Sequence, residues 1–285
     1  MTIAKRPPFD SELEVLLQPL LHALAQPGGL PLPKLGDVLP TGLSHEERTF
    51  PGPDGNQVTA SVFYREQSEP RERPGIYFIH GGGMITGNQF STISWALQAV
   101  QELDVVCISV EYRLAPMHPD PAPLEDCYCG LLWTVNHAKE LGIDISRLLI
   151  AGTSAGGGLA AGVALLARDR GGPQILGQVL SCPMIYDRSN TVSANQFAGV
   201  GVWDRENNLQ AWNAILGERR GTEKVSIYTA PVRATDSSRL PPTFIDVGST
   251  ETFRNEDIRF AQRLWQNGVV HTMSRFWFPT VFTSS

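Results

Sequence analysis

The chain has 285 residues, 42% of them apolar and 18% charged, and 23 Lys and Arg against 29 Asp and Glu leave a net charge of −6. This globular composition supports one large α/β unit or two domains, and the acidic balance excludes a nucleic-acid footprint or a polybasic membrane anchor. No apolar run reaches the roughly 18 residues that span a bilayer, the first residues lack the apolar core of an export signal, and four cysteines (Cys107, Cys127, Cys129, Cys182) are too few to staple the chain, so a cytoplasmic, reduced protein is expected.

Leucines at helical spacing behind an Asp/Ser start predict a helix over 10–26, kinked at Pro19 and stopped by Pro27-Gly28-Gly29. A Pro/Gly-rich connector leads to residue 43. Strands are predicted at 46–51 and 57–64, on either side of the turn Gly52-Pro53-Asp54-Gly55. From residue 75 the pattern alternates, with strands at 75–80, 104–110, 147–152, 175–182, 243–247 and 272–278. Helices are predicted between them at 90–103, 123–141, 155–169 and 253–267. Runs such as GIYFIH, VVCISV and RLLIAG are apolar at nearly every position, as a parallel sheet covered on both faces requires. The expected fold is α/β, a mostly parallel doubly wound sheet that binds ligands at the carboxyl ends of its strands. Residues 187–240 break the rhythm. They read as an excursion over the sheet edge that, with the N-terminal segment 1–45, caps a core of 46–285.

Two motifs carry chemistry. Gly152-Thr153-Ser154-Ala155-Gly156 follows the strand RLLIAG and opens a helix of small residues, the pattern of a nucleophile elbow. Such a turn strains the backbone at Ser154, needs glycines where side chains would collide, and points a helix N-terminus at charge developing beside the serine. His80-Gly81-Gly82-Gly83 ends the strand GIYFIH. Glycines there let backbone N–H groups approach a ligand, so Gly82, Gly83 and Ala155 are the expected oxyanion hole. His80 reads as a brace for this loop rather than as a base.

HGGG at 80–83, VEYRLAP at 110–116 and GTSAGG at 152–157 together resemble the hormone-sensitive-lipase-like esterases of the α/β-hydrolases. The likeness extends to LEDCYCGLLW, VWDRENNLQAW and LPPTFIDVGSTETFRNEDIRFAQRLW. It implies an α/β-hydrolase fold under a helical cap. It also implies cleavage of short or medium acyl esters, with a small hydrophobic ester as partner and no cofactor; no metal spacing is visible, and a homodimer stays open. By position it makes Ser154 the nucleophile, Gly82, Gly83 and Ala155 the oxyanion hole, and Glu251, just after the strand TFIDV, the catalytic acid. Asp246 lies inside that strand and is worse placed, while Glu256 and Asp257 read as solvated charge on the next helix. Trp203 and Trp212 are candidate walls of an acyl pocket.

One part of the pattern is missing. Relatives carry the catalytic histidine in a phrase resembling YPGAFHGF, whereas this chain has FPTVFTSS, with Thr283 in the histidine's place. Threonine is no general base near neutral pH. His271 begins the last strand, far from its catalytic end, and His137 sits in a helix. His118 follows YRLAP, and His22 and His45 belong to the N-terminal segment. Impaired turnover is therefore expected, and a non-hydrolytic binder or a dehydratase- or cyclase-like enzyme on the same scaffold is the alternative. Thr153 and Met117 also stand where relatives carry Asp and Glu.

Overall fold

A computed structural model describes residues 5–24, 30–68 and 71–276. In chain order the elements are α1 (Ser11–Leu24), α2 (Leu35–Val38), β1 (Leu43–Pro51), β2 (Gln57–Arg65), β3 (Arg73–Ile79), α3 (Ser94–Leu103), β4 (Val106–Glu111) and α4 (Ala122–Asn136). They continue with β5 (Ile143–Thr153), α5 (Ala155–Arg170), β6 (Gly177–Ser181), α6 (Val192–Gln196), α7 (Arg205–Leu216), β7 (Thr243–Gly248), α8 (Arg254–Gln266) and β8 (His271–Phe276). The eight strands form one sheet in the order β1-β2-β4-β3-β5-β6-β7-β8. The pairs β1–β2 and β2–β4 are antiparallel, and every later pair is parallel. This is the expected sheet, with an antiparallel edge formed by its first two strands.

The apolar runs are buried on both faces, as parallel strands demand. On one face Ile79, Ile108, Ile150, Leu180 and Ile245 pack against α4, α5 and α8; on the other, Phe78, Cys107 and Ala151 pack against α3 through Ile93, Leu97 and Val100. Every residue of α5 from Ala155 to Ala167 is buried, the signature of a helix enclosed on all sides. Its small side chains allow this: a Cβ on Gly162 would overlap the carbonyl of Tyr228 in the excursion.

Residues 187–240 leave the sheet between β6 and β7 and carry α6, α7 and two 3-10 turns. A buried ion pair ties the segment to itself. Arg233 Nε and Nη2 each donate to Asp187 at 2.8 Å, and Asp187 also accepts the Gly221 N–H at 2.7 Å. The N-terminal segment lies against α6, where Gln196 Nε2 donates to the Lys5 carbonyl at 2.9 Å and the rings of Phe9 and Phe197 are 6.1 Å apart. The helix α1 continues through Pro19. All four cysteines are unpaired. Residue 283 lies outside the described residues, as do 277 and 278 at the end of the last predicted strand.

Candidate active site

The elbow forms as its residues require. Ser154 follows β5 with φ 56° and ψ −118° and stands at the N-cap of α5. A non-glycine residue in that region costs on the order of 1–3 kcal/mol, which the surroundings must supply. Three backbone bonds do so: the Ser154 N–H donates to the Ser181 carbonyl at 2.8 Å, and its carbonyl accepts from Met184 at 2.9 Å and Gly158 at 3.0 Å. The flanking glycines are steric necessities, since a Cβ on Gly152 would overlap the Gly156 carbonyl and one on Gly156 the carbonyls of Ile79 and His80. The second overlap matters most, because it presses the start of α5 against the end of β3, where the glycine loop begins.

That loop reaches the serine. A Cβ on Gly81 would sit 3.0 Å from the Thr153 carbonyl and 3.5 Å from Ser154 Cβ. The loop then turns tightly, Ile85 and Thr86 donating to the Gly82 carbonyl at 3.1 and 3.0 Å. Its N–H groups divide into two sets. That of Gly81 is taken by Thr92 Oγ1 at 3.1 Å, whereas those of Gly82, Gly83 and Ala155 donate to no protein acceptor among the described residues. Two segments thus present unused donors beside one hydroxyl.

His80 is fully buried and stacked on Tyr112, centroids 4.2 Å apart, with its Nδ1 donating to the Gly81 carbonyl at 2.7 Å. The Tyr112 hydroxyl donates to the His80 carbonyl at 3.0 Å. Burial pushes the imidazole down to about 4, so the ring is neutral at pH 7. It is placed to brace the strand end.

Glu251 follows β7 and lines the same cavity as Ser154, together with Phe9, Leu17, Cys182, Phe197 and Trp203. Burial raises its carboxyl to about 7, partly offset by the N–H groups of Thr252 and Phe253. The Thr252 N–H lies 2.9 Å from Oε1. Asp246, paired in register with Ser181 inside the sheet, does not line this cavity.

Two expectations need correction. Glu256 and Asp257 are not solvated: both are fully buried. Glu256 accepts from Thr191 Oγ1 at 2.8 Å, and burial raises it to about 7. Among the described residues neither oxygen of Asp257 has a partner, and burial followed by the charges of Glu256, Glu251 and Asp246 holds its carboxyl well above the usual range. Glu256 is covered from the start of α6, through Thr191, which nothing in the local spacing announces. The second correction is Trp212, which is fully buried in the core on α7 and does not reach the cavity. Trp203 does. Its ring lies on Gly83, where a Cβ would overlap the indole, and its carbonyl accepts from Thr252 Oγ1 at 3.0 Å. The cavity walls Phe9, Leu17, Phe197 and Phe253 escaped sequence reading; each is an apolar residue in a segment whose packing partners are remote in the chain.

Among the described residues no histidine lines the cavity that holds Ser154. His22 is exposed on α1, His118 is exposed after β4, and His45 Nε2 pairs with Ser61 Oγ at 2.9 Å. His137 caps α4 and stacks on Trp133, and His271 pairs in register with Thr243, at the start of β7 and opposite its catalytic end. Thr153, in place of the usual Asp, is buried and faces Trp95 Nε1 at 3.4 Å, while Met117 is exposed.

Comparison with known proteins agrees with this geometry. Residues 76–277 match a family model described as the alpha/beta hydrolase fold. The chain is 32% identical over 218 residues to the esterase LipI of Mycobacterium tuberculosis, covering 76% of this chain and 68% of LipI. It is 34% identical over 158 residues to human hormone-sensitive lipase, covering 55% of this chain and 15% of that one. Among solved structures it resembles a bacterial heroin esterase with TM-score 0.80 and 36% identity, over 95% of this chain and 84% of the other. With an elbow serine facing a glycine loop in the fold those relatives share, the chain belongs to the α/β-hydrolase fold family, among its hormone-sensitive-lipase-like esterases, which are serine hydrolases of carboxylic esters.

Proposed function

We propose that the chain hydrolyses esters of short to medium acyl chains, with Ser154 as nucleophile and Glu251 as the acid that orients the base. The N–H groups of Gly82, Gly83 and Ala155 hold the oxyanion. The observation that carries this reading is the approach of Gly81 to Ser154, which sets unused donors from two segments beside one hydroxyl. Each such donor is worth about 3 kcal/mol at an acyl-transfer transition state. The acyl group enters the cavity walled by Phe9, Leu17, Phe197 and Trp203, whose volume of about 100 Å³ favours a small group.

In this reading the N-terminal segment and residues 187–240 form the cap. The unpaired thiols accord with a reducing, cytoplasmic setting, and among the described residues no helix is long and apolar enough to cross a membrane. The exposed Val270 and Phe244 beside edge strand β8 support a homodimer through that edge, which light scattering would measure. With no histidine lining the cavity among the described residues, turnover is slow; loss of one triad member costs factors of about 10⁴–10⁶. Hydrolysis of p-nitrophenyl acetate and butyrate by the chain and by Ser154→Ala tests the assignment. Residual turnover that disappears in the variant is expected; equal rates in both would end it.

A further inference from the structure

We propose that the space between Ser154 and Glu251 is a binding site for a small neutral azole, and that free imidazole taken up there serves as a diffusible general base. The inference rests on the esterase reading above and names the ligand that the site takes. Its starting point is that one cavity is lined by both the elbow hydroxyl and the Glu251 carboxyl. The remaining walls include the aromatic rings of Phe197, Trp203 and Phe253 and the side chains of Cys182 and Val202, which suit a flat, weakly polar ring. At about 100 Å³ the cavity is sized for a small heterocycle beside a short acyl group and not for a large ligand.

The carboxyl is held in place by the protein itself. Glu251 Oε1 accepts the Thr252 N–H at 2.9 Å, and the Thr252 hydroxyl in turn donates to the Trp203 carbonyl at 3.0 Å, so the acid loop is braced against the excursion. No cation is among the groups that shift Glu251; its burial, uncompensated by charge, lifts it to about 7. An N–H donor arriving from the cavity would satisfy that carboxylate, as an imidazole does in a triad. Among the described residues no histidine lines this cavity.

The chemistry balances without a further reactant. Imidazole donates its N–H to Glu251 and through its other nitrogen takes the proton of Ser154 Oγ as that oxygen bonds to the ester carbonyl carbon. The imidazolium returns this proton to the departing alcohol oxygen as the ester C–O bond breaks. In the second half it takes a proton from water attacking the acyl-enzyme and returns it to Ser154 as the acid leaves. Ester and water become acid and alcohol, and imidazole is regenerated.

The experiment follows p-nitrophenyl butyrate hydrolysis at pH 8 against imidazole concentration, with Ser154→Ala in the same buffer as the blank for imidazole's own reaction. The expected result is a Ser154-dependent rate that rises at least tenfold and saturates. With 1-methylimidazole, which has no N–H for Glu251, the rise is expected to be less than a tenth as large, and Glu251→Gln should erase the difference between the two bases. A Ser154-dependent rate unchanged by imidazole, or an equal effect of both bases, overturns the proposal. Binding of n-butylboronic acid, read as a tetrahedral boron signal absent in Ser154→Ala, separates the two levels. If the adduct forms while imidazole does nothing, the azole site is wrong and the nucleophile assignment stands; if neither occurs, both fall.

Discussion

Gly81 rests against Ser154, with no room for more than a van der Waals contact between a Cβ on the first and the Cβ of the second. Two loops far apart in sequence are therefore held at one point by backbone packing. Side-chain bonds from Thr92, His80 and Tyr112 brace the glycine loop, and the close approach itself depends on the absence of Cβ atoms at a few positions. Chemistry and stability are coupled at those positions.

Gly83→Ala tests the coupling. The new methyl would overlap the Trp203 indole, and φ at this position is +63°. The variant is expected to lose roughly 10²–10³ in kcat for short esters, as for removal of one oxyanion donor, together with about 1–3 kcal/mol of stability. Steady-state kinetics and urea melts measure the two effects. Full activity would remove Gly83 from the oxyanion hole.

Trp203→Ala should widen the cavity without touching the nucleophile. Because the indole is only partly buried, the stability cost is expected near the low end of about 2–5 kcal/mol for large-to-small core changes. The ratio of kcat/KM for p-nitrophenyl octanoate to that for acetate should rise about tenfold. An unchanged ratio would mean that the indole does not bound the acyl site.

The buried acids give stability a pH dependence of definite sign. Glu256 is raised to about 7 and Asp257 is also raised, so the folded state binds protons that the unfolded chain has released. Their adverse effect is absent below about pH 4, the unfolded value, and grows as pH rises through about 7. Asp257→Asn mimics the protonated form. It should be near neutral at pH 4 and stabilise the fold by about 1–3 kcal/mol at pH 8, a difference that thermal melts at the two pH values would read. A shift of equal size at both would show that Asp257 does not titrate across this range.

Asp187→Ala removes a fully buried carboxylate that holds Arg233 by two bonds and the Gly221 N–H by a third. Breaking such a pair leaves a guanidinium uncompensated, at about 3–5 kcal/mol. Chemical denaturation should report that loss, and limited proteolysis should cut faster within residues 187–240. Unchanged proteolysis would mean that the pair does not hold the excursion in place.

What the sequence determined by itself is local. Unbroken apolar runs such as GIYFIH announce strands buried on both faces. Gly152 and Gly156 around Ser154, and the glycines after His80, announce close backbone approaches, because only a missing Cβ permits them. Tertiary packing decided the rest. Trp203 and Trp212 look alike in sequence, yet one lies on Gly83 at the cavity and the other fills the core beneath α7. Glu256 and Asp257 look like solvated charge on α8, yet both are fully buried, and the start of α6 brings Thr191 to Glu256. Phe9 and Leu17 become cavity walls because Gln196 and Phe197 hold the N-terminal segment there. Burial of these side chains depends on contacts across scores of residues, which composition and spacing do not encode.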